Sequence, residues 1–289
     1  MIKPLIAIIF YLFVRMVGII PFQAIYILSD VTSFFLFHIA GYRKEVIRTN
    51  LREIFPDMPA HERKKLVKRI YRNLADVFIE GIRAFTMSQE QVNQRHRILN
   101  PEILDPCLAA GKSVIIVTGH YGNWEWGAFS APLQTKFRVI GFYKPIRNKW
   151  INDFIRKSRE KYGITLATIF ETSKTFERNR GIPTLYLMAA DQSPRSSEKA
   201  IWVDFLGRET AFLHGPEKHS RQNDYPVVYV DIRCVRRGYY TLQLHLLADG
   251  PASLPDGEIT RRFAKKLESV IREEPAHWLW SHRRWKLSR

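Results

Sequence analysis

Val114-Ile-Ile-Val-Thr-Gly-His-Tyr-Gly-Asn-Trp-Glu-Trp126 is the stretch that sets the fold. An apolar, β-branched run over Ser113–Val117 ends in Thr118 and Gly119 and then presents His120. A helix is expected to open at Gly122 or Asn123. In open α/β sheets, sites form at the carboxyl ends of strands, which is where His120 falls.

Similar runs recur at Phe137–Phe142, Ile164–Ile169, Thr184–Ala190, Ala200–Phe205, Val227–Cys234 and Tyr240–Leu246. Helical stretches lie between the earlier ones, near 122–131, 148–161 and 172–179. Strands alternating with helices predict an α/β fold with a mixed sheet, mostly covered by flanking helices. The last two runs, joined through Arg236, Arg237 and Gly238, read as a hairpin. Leu66, Ile70, Leu74, Phe78 and Ile82 recur every four residues and predict an amphipathic helix over about 61–85. Glu258–Ile271 shows the same pattern.

The chain has 289 residues and 45 Lys+Arg against 28 Asp+Glu, a formal charge of +17, which calls for an anionic partner. No zinc finger, RNA-recognition signature or basic zipper is present, which argues against nucleic acid. Cys107 and Cys234 match no ligand spacing, and His214, His219, His277 and His282 lack supporting carboxylates. No metal is expected.

Residues 4–40 are almost uncharged apart from Arg15 and Asp30. Three arrangements are open: a span over 4–26 that tolerates Arg15, a helix lying in one leaflet from which Arg15 snorkels, or a buried helical hairpin of a soluble protein. Arg43, Lys44, Arg48, Arg52 and a second cluster over 63–72 follow. Basic residues after an apolar anchor place the body in the cytoplasm, against anionic lipid. The partition is an anchor over 1–40 and a catalytic body over 41–289.

Glu125 lies five residues after His120. The two can meet only if His120 sits in the turn before the helix, which the strand–turn–helix reading provides. Glu125 would then hold one imidazole nitrogen and leave the other as a base. No Gly-x-Ser-x-Gly elbow is present, so the activated hydroxyl would be the substrate's. Asn123, or the amides at the helix start, could hold a developing oxyanion.

His120-Tyr-Gly-Asn-Trp-Glu125 resembles the His-x4-Asp/Glu motif of the late lipid A acyltransferases, a branch of the lysophospholipid acyltransferase superfamily. Further blocks carry the resemblance: Gly141–Asn148 with Arg156 and Arg159–Gly163, Ala189-Ala-Asp-Gln-Ser-Pro194, Asp204-Phe-Leu-Gly-Arg208 through Gly215-Pro216, and Trp280-Ser-His-Arg-Arg-Trp-Lys286. It runs from about residue 40 to the end. The chain departs from the family pattern at Glu217-Lys-His-Ser-Arg-Gln-Asn223, where small residues are usual.

The resemblance implies a glycerolphosphate-acyltransferase-like fold. It also implies transfer of a fatty acyl chain, from acyl carrier protein or coenzyme A, to a hydroxyl of a lipid A precursor at the cytoplasmic face of the inner membrane. The thioester carries its own leaving group, so no cofactor is expected. Phosphates on the acceptor call for cations. Lys144, Arg147, Arg159, Arg195 and Arg208 are the candidates, with Asp191 and Gln192 at the same sheet end as His120. The acidic carrier protein calls for a basic docking face. Trp124, Trp126, Trp278, Trp280 and Trp285 could line an acyl groove, meet the membrane or pack in the core. An amino-acid lipid or lysophospholipid acceptor stays open, as does a basic membrane-binding protein without chemistry.

Overall fold

The computed structural model describes residues 2–289. Its centre is a seven-stranded sheet. Numbered in chain order, the strands lie side by side as β1 (His96–Ile98), β9 (Tyr239–Ala248), β8 (Val227–Arg236), β2 (Val114–Thr118), β5 (Thr184–Ala189), β3 (Arg138–Tyr143) and β4 (Ile164–Thr168). Every neighbouring pair is parallel except the β8–β9 hairpin. Its turn carries Gly238 at φ +76°, a conformation glycine adopts freely.

Both faces of the sheet are covered, as the unbroken apolar run of β2 requires. Ile115 and Val117 point into one core cluster, and Val114 and Ile116 into the other. Helix α11 (Glu258–Glu273) lays Ile259, Phe263 and Leu267 on the first face. Helix α4 (Ala60–Ala84) serves both clusters, with Leu66 and Ile70 in one and Ile79 and Ile82 in the other. Shorter helices complete the covering: α3 (Lys44–Ile54), α5 (Gln89–Arg95), α6 (Asp105–Ala109), α7 (Gly127–Gln134), α8 (Lys149–Glu160), α9 (Thr172–Arg178) and α10 (Gly215–Asn223).

Two sequence expectations change here. The run 200–205 does not join the main sheet. It forms β6 (Ile201–Phe205), which pairs only with β7 (Arg208–Phe212) around a turn at Leu206 and Gly207. The seventh place in the main sheet is taken by β1.

The apolar N-terminus is two helices, α1 (Ile2–Ile19) and α2 (Phe22–Phe34), the latter continued by a π-helical turn over Phe35–Ile39. Pro21, at φ −57° and ψ 147°, separates them, so 4–26 is not one continuous helix. Phe22–Ile39 is long and apolar enough to cross a membrane by length and composition. Each helix buries one stripe, Val14 and Val17 on α1 and Phe22 and Ile25 on α2, in the cluster that includes α4 residues Ile79 and Ile82. The other stripe is exposed and apolar, including Leu5, Ile9, Leu12, Ile27, Val31 and Phe34. Arg15 lies on that outer side.

Polar bonds fasten α2 to the body. Ser29 Oγ donates to Asp76 at 2.5 Å, and Tyr26 donates to Glu80 at 2.9 Å. Arg237, at the β8–β9 turn, bridges Asp30 and Asp76.

Candidate active site

Strands β2 and β5 run side by side in register, Thr118 opposite Ala189, and Ala190 N donates to Thr118 O at 3.0 Å. Two residues beyond each strand come His120 and Asp191. They face each other because the two chains leave the sheet together. His120 Nδ1 lies 2.5 Å from Asp191 Oδ1, and the backbone N–H of His120 donates to Asp191 Oδ2 at 2.9 Å. Trp278 Nε1 donates to the same Oδ2 at 2.8 Å.

The C-terminal segment holds this cluster in place. Gly122 N donates to His277 O, and Leu279 N donates to His120 O. Gly119 lets the chain pass here: a Cβ would lie 2.6 Å from Leu267 Cδ1 and 3.3 Å from Asp191 Oδ2.

The electrostatics follow from burial. The His120 side chain is 15% exposed and that of Asp191 3%, so the imidazole is reachable and the carboxylate is not. Burial alone would push the Asp191 carboxyl up. The His120 charge and the hydrogen bonds from His120 and Trp278 outweigh it and hold the carboxyl down at about 2. Burial pulls His120 the other way, but the charge and hydrogen bond of Asp191, with the charge of Glu125, raise it above its ordinary value.

The tautomer is fixed as well. Asp191 accepts at Nδ1, and the Gln192 amide nitrogen lies 3.1 Å from Nε2, which it approaches as a donor. Nε2 therefore carries the lone pair. Trp124 stands edge-on to the ring at 5.1 Å.

Glu125 is not the partner expected from the sequence. It sits in a 3-10 turn over Trp124–Trp126 and pairs with Arg159 Nη2 at 2.5 Å. The turn directs Glu125 toward α8, while His120 is claimed by the neighbouring strand end. Asn123 is also corrected as an oxyanion holder. Its side chain is fully buried, accepting from Trp126 N and donating to Glu80 Oε2 at 2.6 Å. Its oxygen is committed to capping the turn and its nitrogen to the Glu80 carboxylate.

Of the cations, Arg159 is half-buried, and among the described residues its Nε has no partner. Lys144 and Arg147 follow the end of β3, and Arg195 follows β5; all three are exposed at the His120 end of the parallel strands. Arg208 is engaged elsewhere, in an ion pair with Glu53 and over the Trp285 ring.

Three residues given no role from the sequence are buried with defined partners. Glu80 is fully buried and accepts from Asn123, Tyr26 and Tyr240. Burial, with the Asp76 charge, pushes it up to about 7 against those bonds. Two acids spaced four apart within the 61–85 pattern, Asp76 and Glu80, were the available signal. Arg284 is buried against Phe212 and donates to Ala211 O. Glu217, at the departure from the family pattern, is buried and accepts from Gly257 N, Thr260 N and Thr260 Oγ1. It caps the start of α11, so the polar substitution there is structural. Trp126, Trp278 and Trp280 are buried.

A histidine paired with a buried carboxylate at the end of two parallel strands is an arrangement able to accept a proton from a hydroxyl. The chain belongs to the bacterial lipid A biosynthesis acyltransferase family, whose model matches residues 2–287. It is 22% identical over 275 residues to a lipid A biosynthesis acyltransferase of Haemophilus influenzae, covering 93% of this chain and 83% of that protein. It is 24% identical over 274 residues to the lipid A biosynthesis lauroyltransferase of Escherichia coli, covering 92% and 87%. It is thus an enzyme of acyl transfer.

Proposed function

We propose that this enzyme transfers a fatty acyl chain from an acyl carrier protein thioester to a hydroxyl of a lipid A precursor at the cytoplasmic face of the inner membrane. The observation that carries the reading is the His120–Asp191 pair at the shared end of β2 and β5, with Nε2 left as acceptor. The acceptor hydroxyl gives its proton to Nε2 as its oxygen attacks the thioester carbonyl. Asp191 stabilises the imidazolium that forms. Collapse of the tetrahedral intermediate breaks the C–S bond, and His120 returns the proton to the departing thiolate. No metal or redox cofactor is called on, because the thioester supplies the leaving group.

Glu125 takes a different part from the one expected. Its charge adds to the basicity of His120, and it positions Arg159. Arg159, Lys144, Arg147 and Arg195 are proposed for the acceptor phosphates, with Gln192 on the reacting hydroxyl. The outer apolar stripes of α1 and α2 suit a helix pair lying in one leaflet, with Arg15 reaching the headgroups. Residues 1–40 then serve as anchor and 41–289 as catalytic body. The +17 charge suits both acidic carrier protein and anionic lipid.

The test is an incubation of purified protein with acyl carrier protein thioester, or the coenzyme A thioester, and a tetra-acylated lipid A precursor in mixed micelles. A mass gain of one acyl chain with the carrier donor is expected. A gain only on lysophospholipid or amino-acid lipid would move the acceptor elsewhere in the superfamily.

A further inference from the structure

Next to the end of the apolar N-terminal segment is a cleft that the chemistry above does not use. It has a volume of about 280 Å³ and lies between α3 and the first turns of α4. Its floor is apolar, made by Phe37 and Val67. Its rim is cationic, with Arg48 and Arg52 from α3 and Arg63 and Lys64 from α4. Neither His120 nor Asp191 lines it.

The rim cations are not equally occupied. Arg63 is held to the backbone, donating to Phe55, Pro56 and Met58 carbonyls. Arg48 reaches Glu45 at 3.1 Å, with both side chains largely exposed. Among the described residues Arg52 bonds only the Thr49 hydroxyl, at 3.4 Å. Lys64 is exposed, and among the described residues no ion pair holds it or Arg52. Of the acids on these two helices, Glu53 pairs with Arg208, and Glu62 is exposed beside His61. Converging cations over an apolar floor suit an amphiphilic anion, with phosphate on the rim and hydrocarbon on the floor.

The cleft's place in the fold narrows the occupant. Phe37 belongs to the π-helical turn Phe35–Ile39, and Phe34, Phe35 and Ile39 in the same run are exposed. The floor therefore borders the end of the segment that carries the apolar stripe, which meets the bilayer in the membrane reading on which this inference rests. We propose that the α3–α4 cleft binds one anionic membrane phospholipid, apart from the acceptor site. Its phosphate lies among Arg48, Arg52 and Lys64, and the start of an acyl chain lies over Phe37 and Val67. Such a lipid would fix the depth and tilt at which the enzyme sits on the leaflet.

The test uses full-length protein in a zwitterionic detergent and short-chain lipid, so neither a bilayer nor acyl transfer is needed for the readout. Binding of dihexanoylphosphatidylglycerol would be compared with dihexanoylphosphatidylcholine and inorganic phosphate, for wild type and for a variant carrying Arg48→Gln, Arg52→Gln and Lys64→Gln. A control would carry Lys174→Gln, Arg178→Gln and Arg180→Gln on and after α9, with folding of each variant checked by thermal unfolding. Wild type is expected to bind the phosphatidylglycerol at least about tenfold tighter than either other probe, and the cleft variant to lose about a hundredfold while the control does not. Cleft-variant affinity within about twofold of wild type, or an equal loss in the control, would overturn the site. Phosphate binding as tightly as the lipid would show a bare anion site and overturn the lipid assignment. So would a cleft variant that keeps lipid binding and loses only transfer from the carrier donor.

Discussion

Asp191→Asn is the substitution on which the geometry speaks most directly. Two donors converge on one oxygen of Asp191: the His120 backbone N–H and the Trp278 indole N–H. In the asparagine variant they hold the amide carbonyl at that place and turn the amide nitrogen toward His120 Nδ1. An N–H there requires Nδ1 to accept, so the imidazole proton moves to Nε2, the nitrogen that must take the substrate proton. A serine-protease triad altered in the same way loses about 10⁴-fold in kcat, and a loss of that order is expected here. The pH dependence should move with it. With Asp191 present, His120 is raised, so activity rises with pH through a value above the ordinary 6.5. Without the carboxylate, burial is left to pull the imidazole down, and the acid limb should shift to lower pH.

Stability should change only modestly. A carboxyl held at about 2 instead of 3.8 contributes about 2 kcal/mol. That contribution is present above the unfolded value and is lost as pH falls through the folded one. The raised His120 contributes below 6.5 and loses its share as pH rises through its folded value. The pair therefore stabilises most between the two unfolded values. The assay is a pH–rate profile of acyl transfer beside thermal unfolding. Near-wild-type kcat with an unmoved acid limb, in a folded Asp191→Asn protein, would refute the assignment of Asp191 as the partner of His120.

Glu125→Gln should cost much less, about tenfold in kcat with a small downward shift of the acid limb, since it removes a charge and not the orienting bond; a loss matching Asp191→Asn in the same pH–rate assay would favour the local pairing after all. Glu80→Gln tests the buried network. A carboxyl raised from 4.5 to about 7 makes the fold lose about 3 kcal/mol as pH rises through that window, so wild type should melt lower at about pH 8 than at about pH 5, and the glutamine variant should show little such slope. Gly119→Ala forces a Cβ against Leu267 and Asp191, and a cost of about 1–3 kcal/mol in denaturant unfolding is expected, with loss of activity in the fraction that stays folded.

The strands were legible where an apolar β-branched run was long and bounded by turns, as at 113–117 and 184–190. β1 is three residues long, too short for a period to register, and β7 reads Arg-Glu-Thr-Ala-Phe, polar where a core strand is apolar. The break between α1 and α2 rests on one residue, Pro21, inside a mostly apolar segment. His120 was legible because it ends a buried strand. Its partner was not, because sequence proximity favours Glu125, five residues away, whereas Asp191 is 71 residues on and arrives only through the β2–β5 register. Asn123 was misassigned for a related reason. A polar residue beside a catalytic histidine reads as available, and only the packing of α4 shows that Glu80 has already claimed it.

The central claim is that His120 is the base of an acyl transfer to a lipid A precursor. Wild type and His120→Ala, both shown to be folded, would be given labelled acyl carrier protein thioester and tetra-acylated precursor in parallel, with products weighed by mass spectrometry. A gain of one acyl chain with wild type that vanishes in the variant is the expected result. An undiminished gain in His120→Ala would contradict it.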